Sequence, residues 1–198
     1  MKDLAEIESK LYRCDKSAVG IDEVGRGSLI GPVVACAFQI DSVINKIELD
    51  DSKILSENKR ALKFTELLTN NSIFALGWSN NLEIDKLNVL NATRLAMRRA
   101  VKNLKIQPKI VLIDGNHGIG TDLNEICITK GDTICKSIAA ASIIAKFTRD
   151  FILKKISSIY PYYKLESNKG YGTKEHIALL KKYGPCPFHR KSFKIKQD

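Results

Sequence analysis

From Ile134 onward the chain places Ile134, Ile138, Ala141, Ala145, Thr148, Ile152, Ile156 and Ile159 at intervals of three and four residues. That recurrence lines up one apolar stripe and is the strongest helical signal in the sequence; Pro161 ends it. Ala18–Val24, Val33–Ile40, Ser72–Trp78, Lys109–Ile113 and Glu125–Thr129 read as strands. Ser56 caps a predicted helix over Glu57–Leu68, and Leu87, Leu90, Met97, Val101 and Leu104 form the stripe of one long helix ending before Pro108. Thr173 caps a short helix with Ile177 and Leu180 inward, stopped by Gly184-Pro185. Three strands in succession, with a helix between the second and third, then alternating helix and strand, predict an α/β fold. The expected architecture is a mixed sheet flanked by helices, with a helical, basic C-terminal part from about residue 160. A chain of 198 residues is expected to be one domain.

Charge narrows the partners. The net charge is +10, and residues 151–198 hold 11 Lys/Arg against 3 Asp/Glu, so most of the excess sits in the last quarter. A concentrated basic segment points to an anionic partner, nucleic acid first, against the plainer reading of a solvated face. No apolar stretch is long enough to span a membrane, and Met1–Asp15 has no apolar core of a secretory signal, so a cytoplasmic protein without a membrane partner is expected. The five cysteines fit that compartment: they are scattered, with no C-x-x-C, and Cys36 and Cys135 lie in apolar surroundings that suit packing. Cys186 and His189 make a lone C-x-x-H without the second pair that a structural zinc needs.

Carboxylates stand where apolar strands should not carry them. Asp22 and Glu23 follow Ala-Val-Gly-Ile directly, Asp114 closes Ile-Val-Leu-Ile, and Asp132 follows Thr-Lys-Gly at another strand end. An unpaired buried charge is costly. Four carboxylates brought together repel unless neutralised, and hard divalent cations with oxygen ligands do that. Two such ions would clamp the attacking and leaving oxygens of a phosphodiester. Taken singly, Asp114 reads as a turn former before Gly115, Asp132 as a helix cap, and His117 as a solvated loop histidine rather than a metal ligand or acid. Asp22 beside Glu23 resists such explanations, because side chains alternate across a strand and no local partner is evident. Phosphate-loop and nucleophile-elbow motifs are absent, and Gly25, Gly27 and Gly31 miss the dinucleotide spacing by one residue.

The sequence resembles the ribonuclease HII family. The resemblance runs through Ile21-Asp22-Glu23-Val24-Gly25-Arg26-Gly27, Gly31-Pro32-Val33, Asp51-Ser52-Lys53 and Asp114-Gly115. It continues through Lys130-Gly131-Asp132, Ser137–Lys146, Thr148-Arg149-Asp150, Lys169-Gly170-Tyr171-Gly172-Thr173, His176 and His189-Arg190-Lys191-Ser192-Phe193. Ser28 departs from it, standing where many members carry proline. Twenty-one residues precede Asp22, so the resemblance is to the type without the extra N-terminal substrate-binding domain.

The resemblance implies a ribonuclease H-like fold and two-metal cleavage, with Mg²⁺ or Mn²⁺, of RNA paired with DNA and of duplex DNA carrying single ribonucleotides. It assigns metal binding and catalysis to Asp22, Glu23, Asp114 and Asp132. It assigns recognition of the ribonucleotide to Gly25, Arg26, Gly27 and Tyr171; Lys53, Arg190 and Ser192 are candidate phosphate contacts. Glycines let the backbone approach a sugar, and the 2′-hydroxyl distinguishing RNA lies in the shallow minor groove, which suits that assignment. A monomer is expected. The rival readings are a non-catalytic nucleic-acid-binding module, which leaves the acids unexplained, and another metal-dependent phosphodiesterase, which leaves Tyr171 and Gly-Arg-Gly unexplained.

Overall fold

The computed structural model describes residues 8, 10, 18–39, 49, 55–70 and 72–193. Its centre is a five-stranded sheet of β1 (Ala18–Val24), β2 (Val33–Gln39), β3 (Phe74–Ser79), β4 (Ile110–Asp114) and β5 (Asn124–Ile128), in the order β3-β2-β1-β4-β5. β1, β2 and β3 pair antiparallel, while β4 and β5 run parallel to β1. The mixed sheet is the one expected, and the strand order comes from the structure. Among the described residues, the helices with both ends described are α1 (Glu57–Thr69), α2 (Asn81–Leu87), α3 (Val89–Lys102), α4 (Lys136–Ile159), α5 (Leu165–Asn168) and α6 (Lys174–Tyr183). None is long and apolar enough to cross a membrane.

Side chains alternate across a strand, and the core divides accordingly. Val33, Ala35 and Ala37 of β2, with Val19 and Ile21 of β1, pack under Ala92, Ala96, Met97 and Ala100 of α3. Val34, Cys36 and Phe38 face the other way, onto Leu67 of α1 and Ala140, Ile143 and Ile144 of α4. The apolar stripe of α4 thus finds its partner in the sheet. Its second half meets Ile30 from the turn after β1, and Tyr163, Leu165 and Cys186 from the C-terminal part. Cys36 and Cys135 are buried among apolar neighbours, as their surroundings suggested.

Two boundaries differ from the sequence pattern. The single long helix ending before Pro108 is two helices, broken at Asn88, whose φ of 66° with ψ 163° is a backbone conformation that L residues rarely adopt and whose side chain accepts from the Asn91 N–H to start α3. Asparagine caps well, so Asn88 starts a second helix in the middle of a stripe that periodicity alone joins. The capping box of Asn80 and Glu83 starts α2, ahead of the stripe. At the other boundary, α4 begins at Lys136 rather than Ile134; Gly131–Thr133 form a 3₁₀ turn, and Cys135 is the helix N-cap without a side-chain bond. Glu8 closes that end instead, accepting from Lys136 N at 2.7 Å and Ser137 N at 2.8 Å. Asp132 is therefore not the cap of the long helix.

The start of α4 lies directly on β1. A Cβ at Gly20 would stand 2.6 Å from the Ile138 backbone nitrogen. Gly20→Ala should accordingly cost about 1–3 kcal/mol by overpacking, read as a lower denaturation midpoint at unchanged slope.

Candidate active site

β1, β4 and β5 run parallel and bring their C-terminal ends to one edge of the sheet, where sites in such sheets are commonly built. Ile21 pairs with Ile113, so one step further Asp22 comes alongside Asp114. Asp114 Oδ1 accepts from Gly131 N at 2.7 Å, which ties the turn carrying Asp132 to the same edge. Asp22, Glu23 and Asp114 border a cleft of about 280 Å³, together with Gly25, Arg26, Gly27, Ser142, Lys146 and Tyr171. Asp132 is buried beside Gly131 and does not line it.

Alternation sends Asp22 toward α4 and Glu23 toward α3. Asp22 is 4% exposed, accepts from the Glu23 N–H at 2.7 Å and is hydrogen-bonded by Ser142. Burial, then the charges of Glu23 and Asp114, hold its carboxyl well above the usual carboxylate range, against the lowering effect of Ser142. Burial pushes Glu23 up to about 7, opposed by Arg26 and reinforced by Asp114; the Arg26 guanidinium lies 3.4 Å away. Among the described residues no three His, Cys, Asp or Glu side chains converge at metal-ligand distance. The donor set nonetheless suits a hard cation: carboxylate oxygens, buried together, whose charged form the protein alone disfavours.

Beside the carboxylates, the Gly25–Gly31 turn is clamped to the Tyr171 loop. Arg149, fully buried, donates to Pro32 O at 3.0 Å, Lys169 O at 3.2 Å and Ile30 O at 3.2 Å, and lies 5.8 Å from the Tyr171 ring. A Cβ on Gly25, at φ 104°, would come within 2.7 Å of Arg149 Cδ, so both conformation and contact require glycine there. Ser28 shares its one hydroxyl donor between Ile30 O and Gly170 O, each at 2.9 Å. Asn168 shapes the loop from within, accepting from Gly170 N at 2.8 Å and donating to Tyr163 O at 2.7 Å.

Two histidines complete the clamp. Cys186 N donates to His189 Nδ1 at 3.0 Å, His189 Nε2 lies 3.4 Å from His176 Nε2, and His176 Nδ1 lies 2.9 Å from Tyr171 O. One set of tautomers satisfies this chain: His189 protonated on Nε2 and His176 on Nδ1, both rings neutral. Burial lowers both, His189 to about 4 with help from the charge of His176. The Cys186–His189 pair is thus part of a hydrogen-bonded relay.

The candidate phosphate contacts fare differently. Arg190 is buried and donates to Gly31 O at 3.0 and 2.9 Å, Arg26 O at 2.8 Å and Gly25 O at 2.7 Å. Burial first, then Arg149, brings it down to about 9, which keeps it cationic at neutral pH. Its donors face carbonyls, so a direct phosphate contact gives way to a role in positioning the turn. The Ser192 hydroxyl donates to Asp85 Oδ1 at 2.6 Å. Lys53 lies outside the described residues. Ser142, Lys146 and Arg149 were not singled out from sequence; the polar Ser142 inside an apolar helical face was the available signal. A larger hollow of about 660 Å³, lined by Trp78, Leu82, Phe151 and Phe188, lies between sheet edge and α4 and has no carboxylate in its lining.

The family model of ribonuclease HII matches residues 19–196. A ribonuclease HII of Rickettsia akari is 47% identical over 192 residues, 97% of each chain. The ribonuclease H2 of Pyrococcus horikoshii superposes with a TM-score of 0.73 at 25% identity, covering 89% of this chain and 93% of that one. Bst-RNase HIII, solved in complex with Mn²⁺, gives 0.61 at 22% identity, covering 73% of this chain and 55% of that one.

Carboxylates whose pKa is raised by folding bind more protons in the native than in the unfolded chain, so their contribution to stability falls as pH rises through that interval. For Glu23 the interval runs from 4.5 to about 7. Asp22→Asn should therefore raise the thermal midpoint of the metal-free protein at pH 8, with the gain shrinking as pH falls toward about 4. An unchanged or lowered midpoint at pH 8 would contradict the strain assigned to Asp22.

Proposed function

The chain belongs to the ribonuclease HII family, and from that membership we propose that it cuts the RNA strand of RNA–DNA hybrids and nicks duplex DNA on the 5′ side of a single embedded ribonucleotide. The observation that carries the reading is the cleft itself. Asp22, Glu23 and Asp114 line one part of it, and Gly25–Gly27 and Tyr171 another, at a scale suited to one nucleotide and its phosphate.

Asp22, Glu23, Asp114 and Asp132 would hold divalent cations, Mg²⁺ or Mn²⁺. Two such cations, when bound, would supply an activated water and neutralise charge on the scissile phosphate. The rest falls to the chain's own groups. Gly25 and Gly27 let main-chain amides come close to a ribose, and Arg149 and Arg190 hold that turn rigid from behind. Tyr171, half exposed between two glycines, presents ring and hydroxyl to the sugar. Reading the 2′-hydroxyl as a recognition group, without using it as nucleophile, leaves 5′-phosphate and 3′-hydroxyl ends. A site built to bond a hydroxyl rejects the analogue lacking it by ~10⁴ or more in favourable cases.

The test is incubation of labelled duplex DNA carrying one ribonucleotide, with and without Mg²⁺. A single nick 5′ of the ribonucleotide is expected, with the all-DNA duplex untouched and no cyclic phosphate. Cleavage of long hybrids without the single-ribonucleotide nick would remove the junction claim and leave hybrid cleavage standing.

Asp22→Asn and Asp132→Asn should each abolish cutting while duplex binding persists, measured by gel assay and by anisotropy on the same preparations. Tyr171→Ala should reduce the single-ribonucleotide nick more than it reduces binding. Tyr171→Phe then separates ring from hydroxyl, since full activity would assign recognition to the ring alone.

A further inference from the structure

One turn beyond Ser142 on α4 stands Lys146. Ser142 hydrogen-bonds Asp22, so four residues of helix carry Lys146 about 6 Å further along the same wall. Both line the cleft that Asp22, Glu23, Asp114 and Tyr171 also border. The Lys146 side chain is 15% exposed, and its Nζ donates to Asp150 Oδ1 at 2.6 Å. The other oxygen of that carboxylate lies 3.4 Å from Arg60 of α1. Asp150 and Arg60 border a separate hollow with Phe147, Phe151 and Lys154, which Lys146 does not line.

A lysine taken largely out of water needs a reason. Helix stability is a weak one, because lysine placed four residues before its carboxylate is the less favourable order. The surroundings are adverse as well. Burial holds Lys146 below the ordinary lysine range, Asp150 opposes that, and the charges of Arg60 and Arg149 add to it. The one carboxylate it touches is shared with Arg60. Among the described residues, Lys146 ion-pairs with none of Asp22, Glu23 and Asp114, although all of them border the same cleft. An ammonium has three donors and no acceptor, and Asp150 takes one. The other two call for oxygen acceptors, and the open side of Lys146 is the cleft.

We propose that Lys146 is a phosphate-binding residue of the cleft, its ammonium aimed by Asp150 and bonded directly to a non-bridging oxygen of the strand being cut, with no metal ion between them. The inference rests on the nuclease reading above. The cleft then meets the anionic strand with two kinds of charge. The carboxylates need cations before a phosphate can approach them, whereas Lys146, one helical turn away, meets a phosphate unaided. Asp150 suits that task, since it fixes the direction of the ammonium from behind and leaves two donors in front.

Binding of duplex DNA carrying one ribonucleotide is measured by anisotropy in metal-free buffer over a range of salt, for the wild type, Lys146→Met and Lys146→Arg. Lys146→Met should lower the slope of log affinity against log salt by about 0.9 and weaken binding about tenfold at low salt, while Lys146→Arg keeps the slope. Neutral methylphosphonate is then placed at each linkage near the ribonucleotide in turn. One of these linkages should weaken wild-type binding and leave Lys146→Met unaffected, the signature of direct coupling. Thermal midpoints are read on the same preparations, because a purely structural lysine would lower the midpoint of Lys146→Met without changing the slope. An unchanged slope, or losses that simply add at every linkage, overturns the contact. So does a wild type indifferent to every neutral linkage, a result that requires no variant to fold. A wild type that shows the coupling but makes no nick once Mg²⁺ is added overturns the nuclease reading instead, so the two failures are distinguishable.

Discussion

Two adjacent carboxylates taken out of water beside a third are an electrostatic load, and the architecture is arranged around carrying it. β1 bears Asp22 and Glu23 from the middle of the sheet, between β2 and β4, with helices on both faces. Alternation places one carboxylate toward α4 and the other toward α3, so their repulsion acts across the strand. Ser142 and the Glu23 N–H answer Asp22, and Arg26 answers Glu23. These partners are fewer than the charges would take up in water, which is why both carboxyls hold their protons unusually tightly. Divalent cations of the proposed kind would convert that load into binding energy.

The neighbouring turn is held by the opposite charge, and by a different kind of partner. Arg149 and Arg190 direct their donors to main-chain carbonyls of residues 25, 26, 30, 31, 32 and 169. A guanidinium presents five donors in a fixed plane, so each spans several carbonyls at once and fixes backbone geometry more tightly than one neutral bond can. The histidine relay does the same for the Tyr171 carbonyl from the other side. Asp22 and Glu23 and the turn that follows them are thus held together at the end of β1.

How much of this was legible in the sequence depended on how local each cause was. Asp22-Glu23 stood out because charge inside an apolar strand is a local anomaly. The mixed sheet followed from apolar periods, each read within ten or twenty residues. Asn88 escaped because a break at one residue interrupts a helix without changing the apolar periodicity on either side. Arg149 and Arg190 were unreadable as buried groups, since their partners are carbonyls, which every residue possesses, up to 165 positions away.

The reach of Arg190 also orders events in time. Its bonds to Gly25 and Arg26 close across more than 160 residues of chain. Domains form on the ribosome as the chain emerges, but contacts of such separation must wait for their later partner. Asp22 and Glu23 are made early, whereas the turn beside them can take its final shape only when the segment around residue 190 has left the exit tunnel. A nascent chain therefore carries the acidic pair long before it carries the final geometry of the turn beside it.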